Sequence, residues 1–243
     1  MSALDRFAAV LFDLDGVITS TADQHYSAWK QMFDQFLRQR AERLDVPFEP
    51  FERADYNRHV DGLPRYDGVR NFLTARDIQL AEGGPDEQPG ADTVRGLGDR
   101  KNDLVNEIIR EQGVEPYQGS VDLLHRLRQR GVKTAVVSSS RNCLTVLQAA
   151  NITDLFDTRV DGEVAGELGL PGKPATDTFL AAAQRLGVSP EQAVVVEDAL
   201  GGVEAGRNGG FGLVVGVDRV GQAEALRDHG ADVVVSDLAE LLD

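Results

Sequence analysis

Ala8-Ala9-Val10-Leu11-Phe12 is an unbroken apolar run that stops at two carboxylates, in Asp13-Leu14-Asp15-Gly16-Val17. Continuous rather than alternating hydrophobicity marks a strand buried on both faces. In an open α/β sheet ligands gather at the carboxyl ends of the strands, so Asp13 and Asp15 fall where chemistry collects. On an extended backbone their side chains would point opposite ways, and a turn at Gly16 can swing the second back over the first. Aspartates after a strand also cap helices, so the rest of the chain has to decide between the two uses.

After Pro116 the pattern alternates regularly. Helices are predicted over 121–130, 142–150, 175–186 and 201–208, and strands over 132–137, 156–160, 193–196, 213–217 and 232–235. Strands separated by helices imply a mainly parallel, doubly wound sheet, which the first strand joins. The segment in between has no strand pattern. It begins with an amphipathic helix over 21–43, in which Ala28, Trp29, Met32, Phe33, Phe36 and Leu37 recur at helical spacing. Pro47 and Pro50 end it, and a helix near 68–75, an exposed Gly/Pro/acid-rich loop at 82–90 and a helix near 99–112 follow. The predicted fold class is α/β: a Rossmann-type core from residues 1–19 and 114–243, with an all-helical cap at 20–113 joined by two linkers that can hinge.

Three more strand ends or loops carry chemistry. Ser138-Ser139-Ser140-Arg141-Asn142 is a hydroxyl-rich turn opening a helix, able to hold a phosphate or simply to cap. Lys173, before a helix, can neutralise a transferring phosphoryl group. Glu197-Asp198, at the end of Ala193-Val194-Val195-Val196, suits Mg²⁺, which takes a few carboxylates plus other oxygens.

Taken together, these four motifs resemble those of the haloacid dehalogenase superfamily of phosphotransferases, and the cap's position is that of its helical-cap subgroup. The resemblance implies that Asp13 is the nucleophile and Asp15 the general acid/base. Ser138 and Lys173 would grip the phosphoryl oxygens. Mg²⁺ would lie on Asp13, the backbone carbonyl of Asp15 and Asp198, with Glu197 in the same acidic cluster.

The cap narrows the resemblance to the β-phosphoglucomutase branch. The motifs are Thr19-Ser20-Thr21-Ala22-Asp23-Gln24-His25 with Trp29 just beyond, Asp61-Gly62-Leu63-Pro64-Arg65, and Arg100-Lys101-Asn102-Asp103. By this resemblance Arg65 binds the phosphate that is not being transferred, and Lys101 and Asn102 contact the sugar bisphosphate. Thr21 and His25 help to place the acid/base, and Gly62 and Leu63 belong to the substrate loop. Ser139, Ser140, Arg141 and Asn142 would face cap and sugar. On the residues alone, Trp29 reads mainly as packing, with an edge that would face the sugar as a substrate contact, Arg65 as part of a loop after Pro64, and Lys101 as part of a charged helix face.

The implied activity is interconversion of β-D-glucose 1-phosphate and glucose 6-phosphate through an aspartyl-phosphate, with glucose 1,6-bisphosphate as activating intermediate. A sugar-phosphate phosphatase using the same intermediate is the alternative, and a catalytically idle binding domain a third. The cap is longer than in short relatives, around 38–58 and 81–98, which bears on the choice of sugar. A formal net charge of −15 opposes a nucleic-acid partner. The single cysteine, Cys143, rules out an intrachain disulfide and fits a reducing cytoplasm. With no apolar run of membrane-spanning length, the expectation is a cytoplasmic protein off the membrane. A closing cap needs only one chain, so a monomer is expected.

Overall fold

A computed structural model describes residues 3–242. In chain order the elements are β1 (Ala9–Phe12), α1 (Ala22–Leu44), α2 (Arg53–His59), α3 (Arg65–Ala75), α4 (Val94–Gln112), α5 (Gln118–Gln129), β2 (Lys133–Val137), α6 (Cys143–Ala149), β3 (Thr158–Val160), α7 (Gly162–Leu168), α8 (Asp177–Leu186), β4 (Ala193–Glu197), α9 (Leu200–Asn208), β5 (Leu213–Val217), α10 (Ala223–Asp228) and β6 (Val233–Val235). One compact unit comprises the chain up to Thr21 together with Val114 onward, and the other is Ala22–Gly113. Among the described residues no helix is long and apolar enough to cross a membrane.

In the first unit the strands form one sheet in the order β3-β2-β1-β4-β5-β6, every neighbouring pair parallel. This is the doubly wound, Rossmann-type arrangement. β1, β4 and β5 are buried along their whole length, which explains their unbroken apolar sequences. Leu11, Val137 and Val195 share a core with Phe179, Ala182, Ala183 and Leu186 of α8. Strand order reverses beside β1, the position at which carboxyl ends open a crevice. Register places Phe12 opposite both Val136 and Val196, so the chain leaves β1, β2 and β4 at nearly one level.

The segments leaving and re-entering this unit lie side by side. Ser20 donates from its backbone N and its Oγ to the Glu115 carbonyl, both at 3.0 Å, and Tyr117 N donates to the Ile18 carbonyl at 2.9 Å.

The second unit is helical. Its core is aromatic: Phe33 lies with its ring centroid 4.2 Å from that of Phe72 and 4.9 Å from that of Phe51, and Trp29 stacks on Phe33 at 5.3 Å. Burying each such phenylalanine contributes roughly 1.5–3 kcal/mol.

Several elements depart from the sequence pattern. α2, α7 and α10 were not expected; they are short, and bury only Tyr56, nothing and only Leu226 respectively, so no apolar period marks them. Their ends are set by polar groups instead, as where the Asp161 carboxylate accepts from Glu163 N and Val164 N at 3.1 Å ahead of α7. α3 begins at Arg65, not near 68, so Arg65 is helical rather than part of a loop. α4 begins at Val94 rather than at 99, capped by Thr93 Oγ1, which accepts from Gly96 N at 3.0 Å. Gly98 looks like a helix breaker in the sequence, but it is there for clearance: a Cβ on it would lie 2.7 Å from the Tyr66 ring.

Candidate active site

The core constellation is organised around one ammonium group. Lys173, in the loop before α8, is buried, and its Nζ donates to Asp13 Oδ1 at 2.5 Å, Glu197 Oε1 at 2.5 Å and the Val137 carbonyl at 3.0 Å. Three donors therefore meet partners from β1, β2 and β4. Burial works against the charge on Lys173, but the Asp13 and Glu197 carboxylates outweigh it and raise its pKa above the ordinary lysine value. Burial pushes the Glu197 carboxyl up to about 7, against the pull of Lys173. Glu197 Oε2 accepts from the backbone N of Asp198 and of Ala199, at 3.1 and 3.0 Å. Both of its oxygens are thus engaged, and Glu197 serves as the counter-ion that keeps Lys173 charged.

Asp13 is buried where β1 ends, its backbone N donating to the Val196 carbonyl at 2.9 Å. Asp15 lies on the following turn, half-buried, and accepts a short hydrogen bond from Thr21 Oγ1, which is itself 2.8 Å from Thr19 Oγ1. The turn depends on Gly16, at φ +82°, where a Cβ would lie 1.8 Å from Asp198 Oδ2. Asp13, Glu197 and Asp198 each offer an oxygen, all within 4.8 Å of one another, and this all-carboxylate set suits a hard divalent cation. The Gly16 contact shows how closely Asp198 is pressed toward the turn of Asp13 and Asp15.

The serine turn lies beside these groups at the end of β2. Ser138, buried, donates its backbone N to the Val160 carbonyl at 3.1 Å, and its Oγ accepts from Ser140 N at 3.1 Å. Ser140 Oγ accepts from Asn142 N at 3.1 Å. The hydroxyls therefore brace the turn before α6 as acceptors, and each keeps its own hydrogen as a donor. Ser139 is half-buried in the same turn, and Arg141 is exposed. Cys143 is buried, and burial pushes its thiol well above the ordinary value, which makes it inert.

The second unit gathers the remaining predicted residues. Lys101 of α4 is buried rather than on a solvated face, with Nζ 3.0 Å from His25 Nδ1 of α1 and 5.2 Å from the centre of the Trp29 ring. Burial, then Lys101 and Arg65, hold the His25 pKa well below the ordinary histidine value, so its imidazole is neutral. Arg65 donates to Asp99 Oδ1 at 3.2 Å, the oxygen that also accepts from Tyr66 Oη at 2.7 Å. Trp29 packs in the aromatic core. Gly62 and Leu63 form the turn before α3, and Asn102 is half-buried beside Lys101 on α4.

Sequence reasoning missed Asp99 and Tyr66, which orient Arg65. Asp99 lies 34 positions from Arg65, and no local spacing reports such a pair. It also missed the role of Glu197 as counter-ion to Lys173.

A family model for haloacid dehalogenase-like hydrolases matches residues 7–210. A β-phosphoglucomutase of Mycobacterium tuberculosis is 50% identical over 242 residues, spanning 98% of this chain and 92% of that protein. One of Bacillus subtilis is 33% identical over 234 residues, spanning 96% and 91%. Among solved structures, a β-phosphoglucomutase from Clostridium difficile matches with a TM-score of 0.76 at 27% identity, covering 97% of this chain and 93% of its own. The chain is an enzyme of the haloacid dehalogenase superfamily and belongs to its β-phosphoglucomutase-like branch.

Proposed function

We propose that the protein is a Mg²⁺-dependent β-phosphoglucomutase that interconverts β-D-glucose 1-phosphate and glucose 6-phosphate through phosphorylated Asp13 and glucose 1,6-bisphosphate. One structural observation carries the choice of a mutase. Besides the cation at Asp13, the helical unit holds a second cationic group in Lys101 and Arg65, near enough to each other that both depress the pKa of His25. A bisphosphate has two phosphates to bind, and a chain that only released phosphate would need one such site. The identity to named β-phosphoglucomutases runs through both units.

In this reading phospho-Asp13 passes its phosphoryl group to the open hydroxyl of the sugar monophosphate, and Asp15 takes the proton that the hydroxyl loses. The P–O bond to Asp13 breaks, and the carboxylate returns to its ion pair with Lys173. In the return step Asp13 attacks the other phosphate of the bisphosphate, and Asp15 gives the proton back to the departing sugar oxygen. Thr21 orients Asp15 for both directions. Lys173 holds Oδ1 of Asp13 and offsets the repulsion between an anionic nucleophile and an anionic substrate. Ser138 and the turn that it braces bind phosphoryl oxygens. Arg65 and Lys101, with Asn102, take the phosphate that is not being transferred. Asp13, Asp198 and the Asp15 carbonyl would hold Mg²⁺, with Glu197 behind them; the ion, when bound, neutralises charge on the nucleophile and the transferring group.

The test is one incubation with β-D-glucose 1-phosphate, Mg²⁺ and a trace of glucose 1,6-bisphosphate, following glucose 6-phosphate and inorganic phosphate together. Glucose 6-phosphate should exceed phosphate clearly, and the α-anomer should give none. Arg65→Ala should impair this turnover far more than phosphate release from a small monophosphate. Phosphate as main product would replace the mutase by a sugar-phosphate phosphatase.

A further inference from the structure

The segment after β5, Asp218-Arg219-Val220-Gly221-Gln222, takes no part in the chemistry above, yet it is tied to both turns that carry the carboxylates. Arg219 Nε donates to the Gly16 carbonyl at 2.8 Å, reaching past the end of β4 to the turn that follows β1. Gln222 Nε2 donates to the Asp198 carbonyl at 3.0 Å. The segment is itself rigid, because Asp218 Oδ1 accepts from the backbone N of Val220, Gly221 and Gln222 at 3.2, 2.7 and 2.8 Å. Its base is fixed to β6 through Asp218 N, which donates to the Val235 carbonyl at 2.8 Å.

Arg219 is committed to this task. Its Nη1 donates to the Ser236 carbonyl at 2.9 Å, and the guanidinium lies 3.7 Å from the centre of the Tyr117 ring. Tyr117 in turn is bonded through its backbone to Ile18, on the far side of the Gly16 turn. Among the described residues its charge is paired by Asp237, at 3.6 Å on the exposed side. The largely buried cation is thus used to hold backbone carbonyls.

The two turns need such a brace. The β1–β4 ladder ends where Asp13 N meets the Val196 carbonyl, so Gly16 and Asp198 lie beyond it. They touch so closely that the Gly16 position admits no side chain. A shift of a few tenths of an ångström between them would spread the oxygens of Asp13 and Asp198. We propose that Arg219 and Gln222 are positioning residues that set the spacing of the Asp13–Gly16 turn and the Asp198 turn, and through it the affinity of the carboxylate cluster for a divalent cation. The inference rests on the proposed Mg²⁺ site.

The experiment is calorimetric titration of the full-length, substrate-free protein with Mg²⁺ alone, beside thermal unfolding of the metal-free form. Arg219→Ala should weaken Mg²⁺ binding about tenfold, which is about 1.4 kcal/mol. Gln222→Ala should weaken it about threefold. Arg219→Lys, which keeps a donor for Gly16 and is the variant to use if the alanine fails to fold, should recover most of the affinity. Gln222→Glu, which puts an acceptor against the Asp198 carbonyl, should bind more weakly than Gln222→Ala. Dissociation constants within about twofold of the wild type in Gln222→Ala, in Gln222→Glu and in Arg219→Ala where it folds, accompanied by lower melting temperatures, would make the segment merely structural and overturn the inference. A wild-type protein that binds no Mg²⁺ would overturn the metal site itself and the inference with it.

Discussion

Lys173→Met removes the one cation between two buried carboxylates and replaces it with a side chain of similar length. Lys173 makes its bonds to Asp13, Glu197 and the Val137 carbonyl in a buried setting. Breaking a buried ion pair from one side costs about 3–5 kcal/mol, because the partner charge stays behind. The folded state can escape part of this cost by protonating Glu197, whose carboxyl is already pushed up to about 7 by burial with Lys173 present and moves higher without it. The sign follows from proton counting. Between the unfolded value of 4.5 and the raised folded value, the folded chain binds the proton and the unfolded chain does not, so stability falls as pH rises through that window. The deficit of Lys173→Met against the wild type should therefore fall to about half near pH 5, where Asp13 alone is left uncompensated, and approach the full cost, about 3–5 kcal/mol, near pH 8. Adding Glu197→Gln should return about half of the loss at pH 8, because the second buried charge disappears with the first. The assay is urea unfolding of the wild type, both single variants and the double variant at the two pH values, in a metal-free buffer. Equal loss in Lys173→Met and in the double variant, with no change between pH values, would refute the charge coupling of Asp13, Lys173 and Glu197.

Two further outcomes can be checked in the same way. Gly16→Ala places a side chain at φ +82° and 1.8 Å from Asp198 Oδ2; it should cost at least about 1–2 kcal/mol in thermal unfolding from the left-handed backbone alone, and Mg²⁺ titration should show a weakened site, whereas unchanged metal affinity would contradict the contact. The neutral His25 makes the helical unit acid-sensitive: below pH 6.5 the unfolded chain takes up a proton that the folded one refuses, so stability falls with falling pH by up to about 1.4 kcal/mol per unit from this group, and His25→Gln should flatten that slope.

The parallel core was legible because its strands are buried on both faces, and burial of that kind leaves a continuous apolar signature in Ala9–Phe12, Ala193–Val196 and Leu213–Val217. The residues of the core site were legible for a related reason: Asp13, Ser138 and Glu197 stand where those signatures stop. What escaped was held by polar groups or by distance in sequence. α7 buries none of its side chains and exists through the Asp161 cap, so no periodicity announces it. Arg65 and Lys101 looked solvated because charge suggests exposure, whereas one is fixed by Asp99 and the other lies buried against His25 and Trp29. Arg219 was invisible for the same reason, since its partners are carbonyls at Gly16 and Ser236, and carbonyls carry no residue type.

The placement of β1 bears on how the chain is made. Its partners are β2 and β4, with Ala9 in register with Lys133 and with Ala193, so a growing polypeptide carries this first strand unpaired through most of its synthesis. The helical unit is built from Ala22–Gly113 alone, so all of its residues have been made before β2 begins. At about 5–20 residues per second, the first strand waits on the order of ten seconds or more for β4. Asp13 meets Lys173 and Glu197 only after residue 197 has been made, and no shorter nascent chain holds the assembled charge cluster.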